Sequence, residues 1–229
     1  MKPHLVFTLT ATLAAMGDVA GHERRGSLTW PGRSAILGLL GAARGIERGG
    51  DFSALDALGI AVAAFDEGTP LRDYHTVETV PSAAIRRPNS RPEALAAAGN
   101  RASTTITLRD YRADALFGVA VWGGDLDPLR AALAAPRFTL YLGRKSCPLS
   151  TPPGATLLDA EGPEEALAAL ILPPWRQGAT ARWLMTDAEP GDPHVEQRRD
   201  QPLDRMKWHF ASRGIAIRQV AIRPTGRAA

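Results

Sequence analysis

The chain has 229 residues, 45% hydrophobic and 22% charged, enough for one large domain or two small ones around a real buried core. Its formal charge of +3 and sequence pI of 9.4 are too mild to name a partner. No run of about 18 uncharged apolar residues occurs, which excludes a membrane-spanning helix.

Residues 3–11 predict a first β-strand, because Leu5, Phe7 and Leu9 alternate with His4, Thr8 and Thr10. The rival reading of the same segment is a signal peptide, with Lys2 ahead of an apolar stretch. After a glycine-containing loop, residues 33–46 predict a helix with Ser34 as N-cap and Ile36, Leu37, Leu39 and Leu40 as its apolar face. Residues 58–65 read as a buried strand and 71–80 as an extended one. Residues 81–102 are basic and proline-rich, and strand signals resume at 104–108, so the whole predicts an arginine-studded hairpin with an adaptable tip. A central strand at 115–122 follows, then a short helix capped by Asp125 or Asp127 and stopped by Pro136, and a strand from Phe138 to Leu142. A helix at 163–171 and strands near 181–186 and 214–222 complete the list, while 150–160 and 187–204 read as loops. The order implies an α+β fold, with the β-α-β-β-α-β arrangement of ferredoxin-like and RNA-recognition domains.

Of the 27 basic residues only Lys2, Lys145 and Lys207 are lysines. Arginine is a planar fork suited to phosphate and bases, but a GC-rich genome gives the same excess, so positions matter more than the total. The single Cys147 rules out an internal disulfide and fits a reducing cytoplasm. His4, His22, His75, His194 and His209 form no metal-ligand spacing with it or each other, so no metal is expected.

Three segments concentrate chemistry. At Gly143-Arg144-Lys145-Ser146 two charges and a hydroxyl leave one turn after a glycine, groups that hold phosphate, although a solvated basic turn reads equally well. Thr139 stands where a nucleotide P-loop needs its first glycine, so ATP or GTP binding is rejected. In Leu71-Arg72-Asp73-Tyr74-His75, Tyr74 or His75 suits base stacking, and Tyr74, His75 and Lys145 are nominal tools for metal-independent RNA cleavage. Arg33 and Ser34 open a helix whose first N–H groups suit an anion, with simple capping as the rival. From Arg198 onward, Arg198, Arg199, Arg205, Lys207, Arg213, Arg218, Arg223 and Arg227 face only Asp200 and Asp204, which suits RNA, DNA or an acidic protein face.

Taken in order, Pro31-Gly32-Arg33-Ser34-Ala35-Ile36-Leu37-Gly38-Leu39-Leu40-Gly41-Ala42, Leu71-Arg72-Asp73-Tyr74-His75-Thr76-Val77 and Tyr141-Leu142-Gly143-Arg144-Lys145-Ser146-Cys147-Pro148-Leu149 resemble the CasD family of type I-E CRISPR systems. Phe210-Ala211-Ser212-Arg213 looks like that family's C-terminal signature. The resemblance implies a ferredoxin-like body (1–75 and 108–149), an inserted hairpin thumb (76–107) and a C-terminal extension (150–229). It implies a strand rather than a signal peptide at the N-terminus. It further implies a non-catalytic subunit of a Cascade complex that holds the 5′ handle of the CRISPR RNA. The partners would be the backbone subunit CasC and the large subunit CasA, with target DNA reached through the complex, and no cofactor or membrane. Arg33, Ser34, Tyr74, His75, Arg144, Lys145 and Ser146 would then contact RNA, and Arg86, Arg87, Arg91 and Arg101 on the thumb would meet the guide or a neighbour. The alternative is a metal-independent endoribonuclease, as in type I-C relatives. One departure is Met16, where relatives carry a tryptophan, which puts a base-stacking role there in doubt.

Overall fold

A computed structural model describes residues 1–17, 21 and 23–226. His22 and Arg227 lie outside these described residues. The strands are β1 (Lys2–Ala14), β2 (Arg24–Arg25), β3 (Gly59–Asp66), β4 (Thr69–Thr79), β5 (Ser103–Trp122), β6 (Thr156–Ala160), β7 (Ala181–Asp187), β8 (Val195–Asp204) and β9 (His209–Ile222). The α-helices are α1 (Arg33–Arg44), α2 (Ser53–Asp56), α3 (Arg91–Ala98), α4 (Asp127–Ala134) and α5 (Pro163–Ala168).

The strands form one sheet in the order β6-β1-β5-β3-β7-β9-β8, with β2 and β4 attached to β5. Every neighbouring pair on that path is antiparallel, and only the short β2 runs parallel to its partner. Both sheet faces are covered, which explains why β1 and the body half of β5 are apolar on successive residues. Leu5, Phe7 and Leu9 join Phe117 and Val119 beneath α1, α2 and α4, where Ile36, Leu37, Leu40, Leu55, Leu129 and Leu133 complete the layer. Val6, Leu116 and Ala120 face the other way, against Leu167 of α5 and Leu170. Each fully buried side chain of this size contributes about 2 kcal/mol.

The N-terminal segment is therefore a core strand. Helix α1 starts two residues earlier than a Ser34 cap would allow: Gly32 is the N-cap, Ser34 sits in the first turn, and no side chain of the cap residue serves the helix. At α4 the cap is Leu126, and Asp125 instead accepts the N–H of Asp127 at 3.3 Å.

Three expectations fail. Phe138–Leu142 forms no strand, because the N–H groups of Arg137 and Phe138 donate to the carbonyls of Ala43 and Ala42 at the end of α1, at 2.9 and 3.2 Å. Segments 150–160 and 187–204 contain β6 and β8. The tip of the hairpin contains α3, with Ser90 accepting the N–H of Glu93 and Glu93 accepting the N–H of Asn89, a capping arrangement that Ser-x-x-Glu announces.

β5 belongs to two structures at once. Its second half lies between β1 and β3, while Ser103–Ala113 pairs with Thr69–Thr79 to form an arm, flanked on its other edge near the base by β2 and the end of β1. At the junction Asp114 takes φ 59°. Arg176 holds it there, donating to the Asp114 carbonyl at 2.8 Å and to Asp66 at 2.9 Å.

Candidate nucleic-acid interface

The Arg144 loop is a tight hairpin. The N–H of Leu142 donates to Cys147 O and that of Cys147 to Arg144 O, both at 2.8 Å, and Tyr141 bridges Pro148. Leu142 and Cys147 are buried and pin the loop. Gly143 carries φ +89°, and a Cβ there would fall 1.5 Å from Ala15 O, so only glycine lets the loop close on the end of β1. The tip residues Lys145 and Ser146 are exposed and Arg144 is half-buried.

Arg144 is aimed by two contacts. Its guanidinium stacks on Tyr111 of β5 at 4.5 Å, and Nη2 donates to the carbonyl of Arg25 in β2 at 3.1 Å. Arg25 lies opposite Arg109 in the β2–β5 ladder, and paired residues project to the same side of a sheet. Arg109, Tyr111 and Arg25 therefore share the face on which Arg144 rests. Arg109 Nε and Arg144 Nη1 are buried without a hydrogen-bond partner among the described residues. Buried unpaired donors are costly, the more so on cations, and an acceptor placed against this face would relieve that cost.

The register of β4 on β5 has no bulge and pairs Tyr74 with Leu108 and His75 with Thr107. Successive strand residues face opposite sides, so His75 lies on the Arg109–Tyr111 face and Tyr74 on the reverse. Tyr74 is 70% exposed. Its face carries Asp110, gripped by Arg72 and Arg24 at 2.7 Å each. Hydrogen bonds from Arg72 and then Arg24 hold the Asp110 carboxyl down at about 2.

Arg33 is placed elsewhere. It is 7% exposed, and its Nη2 donates to the carbonyls of Asp56 and Leu58 at 2.7 Å while Nη1 reaches Asp187 at 3.3 Å. The start of α1 is filled by the chain itself: Asp200 accepts the backbone N–H of Arg33 at 2.8 Å and is held by Arg213 at 2.6 Å. Ser34 is half-buried beside it. Much of the C-terminal basic stretch is likewise paired within the chain. Arg198 stacks on Trp30, Arg205 chelates Asp56, Lys207 pairs with Asp204, and Arg218 pairs with Asp192. Met16 is 3% exposed within the core, so it offers no face to a base.

On the arm, Arg86, Arg87, Arg91 and Arg101 are all exposed. Arg91 turns back to the Glu78 carbonyl, and Arg101 donates to Ala97 O at 3.0 Å. No group of three or more potential metal ligands occurs among the described residues, and none of their helices is long and apolar enough to cross a membrane.

Residues 4–215 match the family described as CRISPR-associated protein (Cas_Cas5). The chain belongs to this CRISPR-associated Cas5 family. The CRISPR system Cascade subunit CasD of Escherichia coli (strain K12) is 36% identical to the Cas5-family chain over 185 residues, covering 73% of this chain and 76% of the relative. A chain of a solved CRISPR RNA-guided surveillance complex aligns with TM-score 0.70 at 26% identity, over 99% of this Cas5 chain and 93% of that one. A crystal structure of a Cas protein aligns with TM-score 0.62 at 28% identity, over 96% and 95% of the two chains. The CasD resemblance carried by the three motifs thus extends along most of the Cas5-family chain, while Arg25, Arg109 and Tyr111 are cluster members that the motifs alone did not single out.

Proposed function

We propose that the chain is a guide-RNA-binding, non-catalytic subunit of a type I-E Cascade complex, holding the 5′ handle of the CRISPR RNA. The observation that carries this reading is the arginine cluster of Arg25, Arg109 and Arg144, two of which bury donors that have no partner among the described residues. A phosphodiester supplies the acceptors such donors lack. Lys145 and Ser146 extend the cluster into solvent, and His75 shares its face. Arg33 and Ser34 support the fold from the start of α1 rather than reaching RNA.

The sheet order β6-β1-β5-β3, with α1 between β1 and β3, supports a ferredoxin-like body. The arm suits a thumb, with Arg86, Arg87, Arg91 and Arg101 meeting the guide or the backbone subunit CasC. The chain would cap the backbone next to the large subunit CasA, target DNA would be reached through the complex, and the assembly would work in the cytoplasm.

The endoribonuclease alternative needs Tyr74 and His75 to act on one 2′-hydroxyl. Their opposite projection from β4 argues against that pairing. The test is binding of fluorescent repeat-derived RNA across a salt series. Affinity should fall steeply with salt, and Arg144→Ala with Lys145→Ala should flatten the log–log slope by about 0.7 per lost phosphate contact. Affinity indifferent to salt would overturn the reading. Site-specific cleavage in chelator that His75→Ala abolishes would favour the nuclease.

A further inference from the structure

We infer that the tip of the β8–β9 hairpin is a docking knob for a second protein subunit, distinct from whatever the arm contacts. Three large apolar side chains stand exposed within six residues: Leu203 at 70%, Met206 at 65% and Trp208 at 62%. Backbone irregularity presents two of them. Leu203 is the extra residue of a bulge, since Pro202 pairs with Phe210 and Asp204 with His209. Trp208 sits at φ 56°, an uncommon state for a bulky residue. The knob is braced rather than loose. Arg205 chelates Asp56 at 2.6 and 3.0 Å and stacks on Phe52 at 4.0 Å.

The partner is a protein rather than a nucleic acid. Arg48 lies 3.8 Å over the Trp208 ring, on a face that a base would need for stacking. Leu203 and Met206 have no ring to offer. Tryptophan and methionine are enriched at protein interfaces. Charge refines the fit: Asp56 and Asp204 already hold Arg205 and Lys207, whereas Arg48 has no carboxylate partner among the described residues. The complementary surface is an apolar pocket edged by carboxylates.

The register separates this partner from the arm's. β9 pairs with β7 only from Ile215 onward, so His209–Gly214 extend past Asp187, beyond the start of β3. The arm leaves from the other end of β3, after Asp66. Two surfaces at opposite ends of a sheet suit two neighbours.

The inference rests on the chain being one subunit of an assembly. The test is native mass spectrometry of the complex formed by co-expression with the subunits encoded beside it. Leu203→Asp with Met206→Asp, and separately Trp208→Ala, should each strip one protein subunit while guide RNA stays bound. The isolated variants should keep the wild-type melting temperature, since these side chains are largely solvent-exposed. A full protein complement in both variants overturns the inference. Loss of RNA with every protein retained also overturns it, and assigns the tip to nucleic acid. Absence of RNA from the wild-type complex would instead strike the RNA-binding reading.

Discussion

Asp200 caps Arg33 across 167 residues of sequence: its Oδ2 accepts the Arg33 backbone N–H at 2.8 Å while Arg213 holds both of its oxygens. One carboxylate thus neutralises the start of α1 and ties the C-terminal hairpin to it, with Asp187 linking Arg33 and Arg213 from the side.

Asp200→Ala removes the anion from three donors at a site where it is only 6% exposed. Breaking one partner out of such a network costs about 3 kcal/mol. Urea unfolding should show that loss in midpoint with an unchanged slope, and Asp200→Asn should recover part of it by keeping an acceptor.

Gly143→Ala forces a Cβ against Ala15 O and a side chain into the left-handed region. The expected cost exceeds about 2 kcal/mol, beyond the ~1 kcal/mol of a relaxed glycine-to-alanine change in the wrong region. Thermal melts should show it, and RNA affinity should fall as well because the loop carrying Arg144 is displaced.

Tyr111→Ala takes away the ring that supports Arg144, whereas Tyr111→Phe keeps it. A cation–π contact at a partly exposed site is worth about 0.5–1 kcal/mol, so RNA affinity should drop roughly two- to five-fold in the first variant and hold in the second. Equal losses in both would assign the effect to the phenol.

Acid should weaken the fold in two windows. His4 is fully buried, Nδ1 bonds Lys2 O at 2.8 Å, and Nε2 has no partner among the described residues. Burial lowers its pKa below the ordinary 6.5. The unfolded chain therefore binds the proton more readily, and stability falls as pH drops below about 6.5. Asp110 has the second window: its folded value of about 2 lies under the ordinary 3.8, so its contribution is full above that value and fades as pH falls towards 2. Chemical denaturation of His4→Phe should lose the first dependence and Asp110→Asn the second.

Much of the sheet was legible because burial imposes a pattern. Leu5, Phe7 and Leu9 alternate, and Ala115–Trp122 is apolar on both sides. β8 was not legible, since its edge position lets Glu196, Arg198 and Arg199 remain polar. Phe138–Leu142 has strand-forming residues, but the end of α1 claims its first N–H groups. Within the site, the Arg144 loop announces itself by a glycine and three polar neighbours. Arg25, Arg109 and Tyr111 do not, because their meeting depends on a two-residue parallel pairing between distant segments. Likewise nothing near Arg33 in sequence reveals the carboxylate that fills the helix start.

The left-handed turn at Asp114 gives the arm its mechanics. Load applied at the far end of the ribbon passes along β5 straight into the centre of the sheet, through the positive-φ residue Asp114. Arg176 acts there as a stay, fastened to both Asp114 and Asp66. The arm's bearing is thereby held like a crane jib under several stays, and one of them is fastened by a residue more than sixty positions away in the chain.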